Sequence, residues 1–402
     1  MEKGLGFNFN EIKGLHLELT TRCNAQCPMC NRNFKGKTRK ELPDLELTLK
    51  DIKKILAPDF LKQLELISIC GVYGDPICNN DLKLILKYFY ECNPSIEIDV
   101  YTNGSLYSEE WWSDLATIMK IHRGSVIFGI DGIGEIHTLH RCNTDYNKVI
   151  SNAKAYINSG GTAQWDFIVF KHNEKVIEKA KNLSIELGFK SFQLKKSSRF
   201  FKHLYEKDKQ LDSTLAEYGK HPVFDKKGNI KYFIELPENP KYRNESEKNI
   251  FSLIKEYGSF NKYLDKNKIE CESIKNGGIF ISASGEIFPC CTVYQQVCYK
   301  TIHNVSDNCE LNEYNLYKNE NLSGFKNDIR DIVEGNFFKK LYMSFRCDSV
   351  ENGKPKSCAR TCGKYLDMHK NSHTTSLKYG GKKWKDILLL KNILELEFMI
   401  LN

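Results

Sequence analysis

Cys23, Cys27 and Cys30 stand in TTRCNAQCPMCNR, separated by three and then two residues. On a helix this spacing would put all three on one face, where core burial would explain them. Pro28 and Asn24 disfavour that helix. In a loop, three thiolates so spaced can wrap a cubane iron-sulfur cluster and leave one iron without a protein ligand. An open iron is a chemical site, by the logic that separates open from closed metal sites. A three-cysteine zinc site is the competing metal reading, and buried unliganded thiols are the bland one.

A second group lies near the other end: Cys271, Cys290, Cys291, Cys347, Cys358 and Cys362. Cys271 is followed by thirteen residues, Gly285, four more residues and Cys290, whereas ten residues separate Cys347 from Cys358 and three separate Cys358 from Cys362. Of the remaining cysteines, Cys70, Cys78, Cys92, Cys298 and Cys309 read as small buried apolar residues. Cys142 stands apart because it sits in LHRCN, just past a predicted strand. The fifteen cysteines are an odd set, clustered in a chain whose first residues show neither an apolar h-region nor a cleavage site. That pattern predicts thiolate ligands in a reducing cytoplasm over disulfides.

The elements that must position these cysteines repeat one unit from residue 15 to about 196. β-rich runs at 15–19, 64–70, 96–102, 125–131, 165–170 and 191–196 alternate with helical patterns. Thr48 can cap a helix carrying Ile52, Ile55 and Leu56, with Pro58 as its stop, and Asn80 or Asp81 can open the next. Ser108 can cap a third; two more end at Gly160-Gly161 and at Gly188. Six βα units joined right-handedly curl into a partial (β/α)6 TIM barrel, whose ligands gather at the carboxyl ends of the strands.

Past residue 200 the alternation stops. Residues 201–270 read as an irregular connector broken by Pro222, Pro237 and Pro240, residues 271–365 as a small cysteine-rich domain with a hairpin at 278–288, and 366–402 as a terminal helix. The 402 residues, 41% hydrophobic, suffice for two or three domains, which excludes collagen, wholesale disorder and a minimal disulfide scaffold. Lysine and arginine exceed acidic residues by eight without a basic block, a mild basicity that neither requires nor excludes nucleic acid, which is not among the expected partners. With no run of eighteen apolar residues and a mean hydropathy of −0.47, no membrane span is expected.

C-x3-C-x2-C directly after the first strand of a partial barrel resembles the radical S-adenosylmethionine (radical SAM) superfamily. The resemblance covers residues 15 to about 200. It implies a 4Fe-4S cluster on Cys23, Cys27 and Cys30, with S-adenosylmethionine (AdoMet) chelating the open iron through its amino and carboxylate groups. Met29 stands where the family usually has an aromatic residue and is expected near the adenine. The second strand ends in Cys70-Gly71-Val72-Tyr73-Gly74-Asp75-Pro76, similar to the family's G-G-E-P segment at the methionyl amino group, though with Asp75 for Glu and different glycine spacing. By the same resemblance Thr102, Asn103 and Asp131 line the ribose or the substrate cavity. Turn chemistry alone also explains Asn103-Gly104 and Asp131-Gly132. Asn173 is a weaker candidate of the same kind.

The spacing of Cys271, Gly285 and Cys290 resembles the opening of the SPASM or twitch domain, C-x(9-15)-G-x4-C. Too few cysteines follow for two further clusters, so the twitch form is the better match. It implies one auxiliary 4Fe-4S cluster on Cys271, Cys290, Cys358 and Cys362, with Cys347 in reserve; a structural zinc site on the same four is the alternative.

The activity implied is one-electron reduction of the cluster by a donor such as flavodoxin or ferredoxin. Reductive cleavage of AdoMet to a 5'-deoxyadenosyl radical and removal of a hydrogen atom from substrate follow. The auxiliary cluster would take an electron from the substrate radical, relay electrons or bind substrate. The expected substrate is a ribosomally made peptide or a protein, although the chain before Cys23 is short for a leader-binding domain. Radical oxidation or epimerisation of a small sugar-like alcohol is the alternative, RNA modification or a zinc-dependent barrel enzyme a lesser one. Cys142 is the candidate hydrogen-atom donor that would quench a substrate radical, with His140 and Arg141 beside it expected to hold an anionic substrate.

Overall fold

The computed structural model describes residues 6–197, 199–201, 219–244, 253–302 and 312–363. The expected terminal helix at 366–402 and Cys309 lie outside these residues.

Six strands form the barrel in sequence order: β1 (Gly14–Leu17), β4 (Leu66–Ile69), β5 (Glu97–Thr102), β6 (Arg123–Gly129), β7 (Ala163–Val169) and β8 (Ser191–Lys196). All adjacent pairs are parallel. A two-residue hairpin, β2 (Asn33–Phe34) with β3 (Lys37–Thr38), falls between β1 and β4. The helices between the strands are α1 (Leu49–Ile55), α2 (Pro58–Gln63), α3 (Leu82–Cys92), α4 (Glu109–Met119), α5 (Glu135–His140), α6 (Tyr146–Asn158) and α7 (Ile177–Glu186).

Local sequence explains the helix ends. Thr48 and Asp51 make a reciprocal capping box on α1, and Ser108 caps α4 through Trp111 N. Pro58 both ends α1 and opens α2 at its first turn. Asp81 precedes α3 without capping it; its carboxylate accepts from Leu49 N at 2.8 Å and so ties α1 to α3.

The register separates the sheet's two faces. Leu17, Ile69, Val100 and Val126 share one row, all fully buried. Phe128, two residues on from Val126, packs against Trp112 of α4, so this face meets the helices. On the opposite face His16, Ser68, Asp99 and Ser125 share a row. The barrel interior is therefore polar, although the strands read as apolar runs.

Two hairpins follow the barrel. β9 (Lys220–Phe224) and β10 (Ile230–Glu235) pair antiparallel inside the segment expected to be irregular. Asp225 makes their turn by accepting from Lys227 N and Asn229 N, with Gly228 at φ +89°. The alternation KHPVF, DKKGN, IKYFIE carried that signal; Pro222 obscured it, although proline is tolerated on an edge strand. The expected hairpin at 278–288 is β11 (Gly278–Ile281) with β12 (Ile287–Phe288). β11 runs parallel to β1, so the barrel sheet continues into the cysteine-rich segment as β12-β11-β1-β4-β5-β6-β7-β8. Among the described residues no helix is long and apolar enough to cross a membrane.

Candidate active site

The Cys23–Cys30 loop leaves β1 at its carboxyl end, and its shape is held through backbone carbonyls. Asn33 Nδ2 donates to Cys27 O at 3.0 Å, His221 Nε2 meets Pro28 O at 3.1 Å, and Arg199 donates to Met29 O. Arg32 donates to Thr21 O. From the other side Gln26 N donates to Cys142 O at 2.8 Å and Asn143 Nδ2 to Asn24 O at 2.6 Å. These bonds use carbonyls and leave the thiols aside, save that Cys23 Sγ lies 3.8 Å from Asn103 Nδ2.

Cys23, Cys27 and Cys30 are electrostatic neighbours of one another, and none is in a disulfide. Burial pushes the Cys27 thiol up to about 12 and Cys23 well above its ordinary value. Such thiols ionise readily only against a bound metal. Among the described residues no three His, Cys, Asp or Glu side chains converge on a single ion. A cubane cluster asks for something else, one thiolate on each of several irons at separate corners. Three mutually neighbouring thiols, none in a disulfide, on a loop held through its carbonyls suit that group.

The turn after β4 lies against the start of this loop. A Cβ on Gly74 would fall 1.8 Å from Thr20 O, and one on Gly71 would fall 1.9 Å from Gly74 O, so backbone meets backbone directly. Asp75 N donates to Arg22 O at 2.8 Å. The Asp75 carboxylate caps the short 3-10 turn Pro76–Cys78 through Ile77 N and accepts from both nitrogens of Asn103. Its oxygens are therefore engaged by protein, and Asp75 shapes the site by locking strand ends together. Asn103 Nδ2 also lies 3.0 Å from Asn24 Oδ1 and 3.8 Å from Cys23 Sγ. Thr102 Oγ1 accepts from Gly104 N at 3.0 Å.

Asp131 is fully buried after β6 and accepts from His140 Nδ1 at 2.8 Å, Arg141 Nε at 2.5 Å and Ile168 N at 2.7 Å. Burial opposes its ionisation, but Arg141 and His140 outweigh that and hold the carboxyl well below its usual range. His140 and Arg141, expected to hold an anionic substrate, are thus paired with Asp131. Gly129 leaves the room: a Cβ there would sit 2.5 Å from Arg141 Nη2. Arg141 also neighbours Cys27 and Asp75, which brings a partly buried cation to the cysteine loop. Asn173 is wholly engaged, donating to Asp131 O and Ile168 O and accepting from Phe170 N.

Met29 is buried in an apolar cluster with Ile168, Phe170, Phe200, Val223, Ile234 and Leu236, so Phe200 and the β9–β10 hairpin cover the cysteine loop. Half-buried Cys142 borders the same cluster, its Sγ 3.6 Å from Tyr232 Oη. Tyr73 is buried edge-on to Tyr294, with ring centroids 6.2 Å apart.

At the second cysteine group, the neighbours of the buried Cys358 thiol include Cys290, Cys271 and Cys362. Burial pushes Cys271 up to about 12 beside Cys290. Backbone pairing closes the group, with Glu270 N donating to Cys362 O at 2.8 Å and Asn267 Nδ2 to Ala359 O at 2.7 Å. Cys347 lies instead by Gly353, whose added Cβ would be 3.8 Å from its Sγ. Cys291 has Cys70 and Glu18 among its neighbours, on the barrel side.

Sequence reasoning passed over Glu18, Arg199 and His221. For Glu18 the signal was present: an acid inside the buried run LHLEL. Arg199 and His221 act across more than 160 positions, which no local pattern reveals.

Residues 17–183 match the family model described as the Radical SAM superfamily. No curated protein matches the chain. Among solved structures, Streptococcus suis SuiB bound to precursor peptide SuiA is similar at 14% identity and a TM-score of 0.50, over 88% of this chain and 76% of that one. Native anSMEcpe with bound AdoMet and Cp18Cys peptide is similar at 15% identity and a TM-score of 0.47, over 95% and 99%. BtrN in complex with AdoMet and 2-DOIA is similar at 12% identity and a TM-score of 0.42, over 87% and 92%.

Proposed function

We propose that the chain, whose residues 17–183 match the Radical SAM superfamily model, is a radical SAM enzyme that removes a hydrogen atom from a ribosomally made peptide or a protein. The observation that carries the reading is the loop of Cys23, Cys27 and Cys30, its carbonyls fastened by Asn33, His221 and Arg199 and its three neighbouring thiols free of any disulfide. When bound, the 4Fe-4S cluster and AdoMet supply a 5'-deoxyadenosyl radical by one-electron reductive cleavage. We divide the chain into a barrel at 1–200, a connector at 201–270, a twitch-like domain at 271–365 holding an auxiliary cluster, and a terminal helix beyond.

In this reading the protein's own residues bind, orient and shield. Gly71 and Gly74 bring the backbone of the turn, with Tyr73 and Pro76 on either side of Gly74-Asp75, against the cysteine loop. Asp75, Thr102 and Asn103 fix the neighbouring strand end, and Asp131 fixes Arg141 beside Cys27. Met29 and the β9–β10 hairpin form an apolar cover that excludes water. Cys142, beside Tyr232, would return a hydrogen atom to a substrate carbon radical, its S–H bond breaking as the C–H bond forms and a thiyl radical remaining.

A peptide substrate fits the fold shared with SuiB, whose solved complex holds a precursor peptide. The test is anaerobic incubation with AdoMet, reductant and a precursor peptide encoded beside the gene. The expected result is 5'-deoxyadenosine formed together with a change in the peptide's mass or, for epimerisation, a peptide unchanged in mass in H2O that gains solvent deuterium in D2O. An unaltered peptide, with turnover of a small amino-cyclitol or sugar alcohol instead, would replace the peptide reading by the sugar one.

A further inference from the structure

Glu18 is fully buried at the end of β1 and is paired with no cation among the described residues. A carboxyl group so placed is costly unless backbone donors compensate it. Here they do on one side: Oε1 accepts from Tyr73 N at 2.7 Å and Gly74 N at 3.3 Å. The amides of Val72 and Ala283 also face the carboxyl, while Oε2 makes no hydrogen bond of normal length. Two distant pieces of chain thus meet one acidic group. Val72–Gly74 is the turn against the cysteine loop, and Ala283 sits in the hairpin turn between β11 and β12 that leads into Cys290. Cys291, Cys298, Tyr73 and Tyr294 complete the surroundings, and none brings a positive charge.

We propose that Glu18 is a positioning residue, holding the Val72–Gly74 turn in the shape that binds AdoMet and fixing it against the hairpin before Cys290. The inference rests on the radical SAM reading of that turn. Burial pushes the carboxyl up to about 7 against the facing amides; its ionised form is an acceptor only, which suits the Tyr73 and Gly74 N–H donors on Oε1. Glutamine keeps its volume, but if Oε1 stays on Tyr73 and Gly74 its NH2 must face the Ala283 amide, donor against donor. Alanine leaves all the amides without an acceptor.

The experiment uses anaerobically reconstituted full-length wild type, E18Q and E18A, titrated with AdoMet while the reduced cluster's EPR spectrum is followed, and assayed for AdoMet KM and kcat. E18Q is expected to weaken AdoMet binding about tenfold and raise its KM in step. Its kcat at saturation, its iron content and its EPR spectrum without AdoMet should match wild type. E18A should weaken binding further. If E18A does not fold, E18Q alone decides. Wild-type AdoMet affinity in E18Q, or a loss of kcat and iron content with unchanged KM, overturns the positioning role. A wild type whose spectrum ignores AdoMet while the clusters are present overturns the radical SAM reading of the turn first, and the role of Glu18 with it.

Discussion

Asn103 grips Asp75 with both of its nitrogens: the backbone N and the side-chain Nδ2 each lie 2.7 Å from Asp75 Oδ2. The end of β5 is thereby locked to the turn after β4, and the same Nδ2 reaches to 3.8 Å from Cys23 Sγ. Asp75→Ala should cost about 2–4 kcal/mol, since it orphans a buried N–H along with the side-chain amide. Asn103→Ala, which keeps the backbone bond, should cost less. A double-mutant cycle by denaturant unfolding of the reconstituted protein is expected to give a coupling of about 1–2 kcal/mol. Strict additivity would mean the two residues do not act as one unit.

The second cysteine group separates two cysteines that spacing alone leaves open. Cys358 has Cys271, Cys290 and Cys362 as neighbours, whereas Cys347 lies by Gly353. Cys358→Ala should remove about half of the bound iron and lower the melting temperature, because the proposed cluster would staple the hairpin to the segment at 356–363. Cys347→Ala should leave iron content unchanged. Iron analysis after anaerobic reconstitution checks both, and zinc in place of iron would identify a structural zinc site.

The polar interior carries a pH signature. Burial, with Glu97 and Asp166 nearby, raises the Asp99 carboxyl to about 7 against the opposing Ser125 amide and Lys190. The folded state therefore holds this proton over a range in which the unfolded chain releases it. The stability Asp99 contributes is greatest below pH 4 and is lost as pH rises to about 7, a change on the order of 3–4 kcal/mol. Asp99→Asn should flatten the stability profile between pH 4 and 7, read by urea unfolding across that range. An unchanged slope would show that Asp99 does not titrate there.

Much of this arrangement was legible in the sequence because it is local. The six barrel strands, the capping of α1 and α4, and the cysteine loop each depend on neighbours within about a dozen residues. Long-range effects were not legible. The β9–β10 hairpin was hidden by Pro222, and the hold of Arg199 and His221 on the cysteine loop arises only once Phe200 and the β9–β10 hairpin pack over Met29. The pairing of Arg141 with Asp131 depends on the missing Cβ of Gly129, which composition does not announce. Glu18 was visible as an acid in a buried strand, but its partners lie 54 or more positions away.

Cys142 offers a test of how the substrate radical ends. Its thiol is half-buried at the edge of the apolar cover and 3.6 Å from Tyr232 Oη. Cys142→Ala should leave 5'-deoxyadenosine formation within about twofold of wild type, a barrier change of under about 0.5 kcal/mol. It should also abolish solvent deuterium incorporation into product. Unchanged incorporation would exclude Cys142 as the hydrogen donor and leave oxidation as the preferred ending.

The most direct measurement of the central claim is 5'-deoxyadenosine formation by the reduced, anaerobically reconstituted enzyme and by its Cys23→Ala, Cys27→Ala, Cys30→Ala triple variant. Wild type is predicted to carry two 4Fe-4S clusters and to release 5'-deoxyadenosine and methionine from AdoMet. The triple variant should release neither while keeping the iron held by Cys271, Cys290, Cys358 and Cys362. Continued cleavage of AdoMet by the triple variant would contradict the assignment of the cysteine loop.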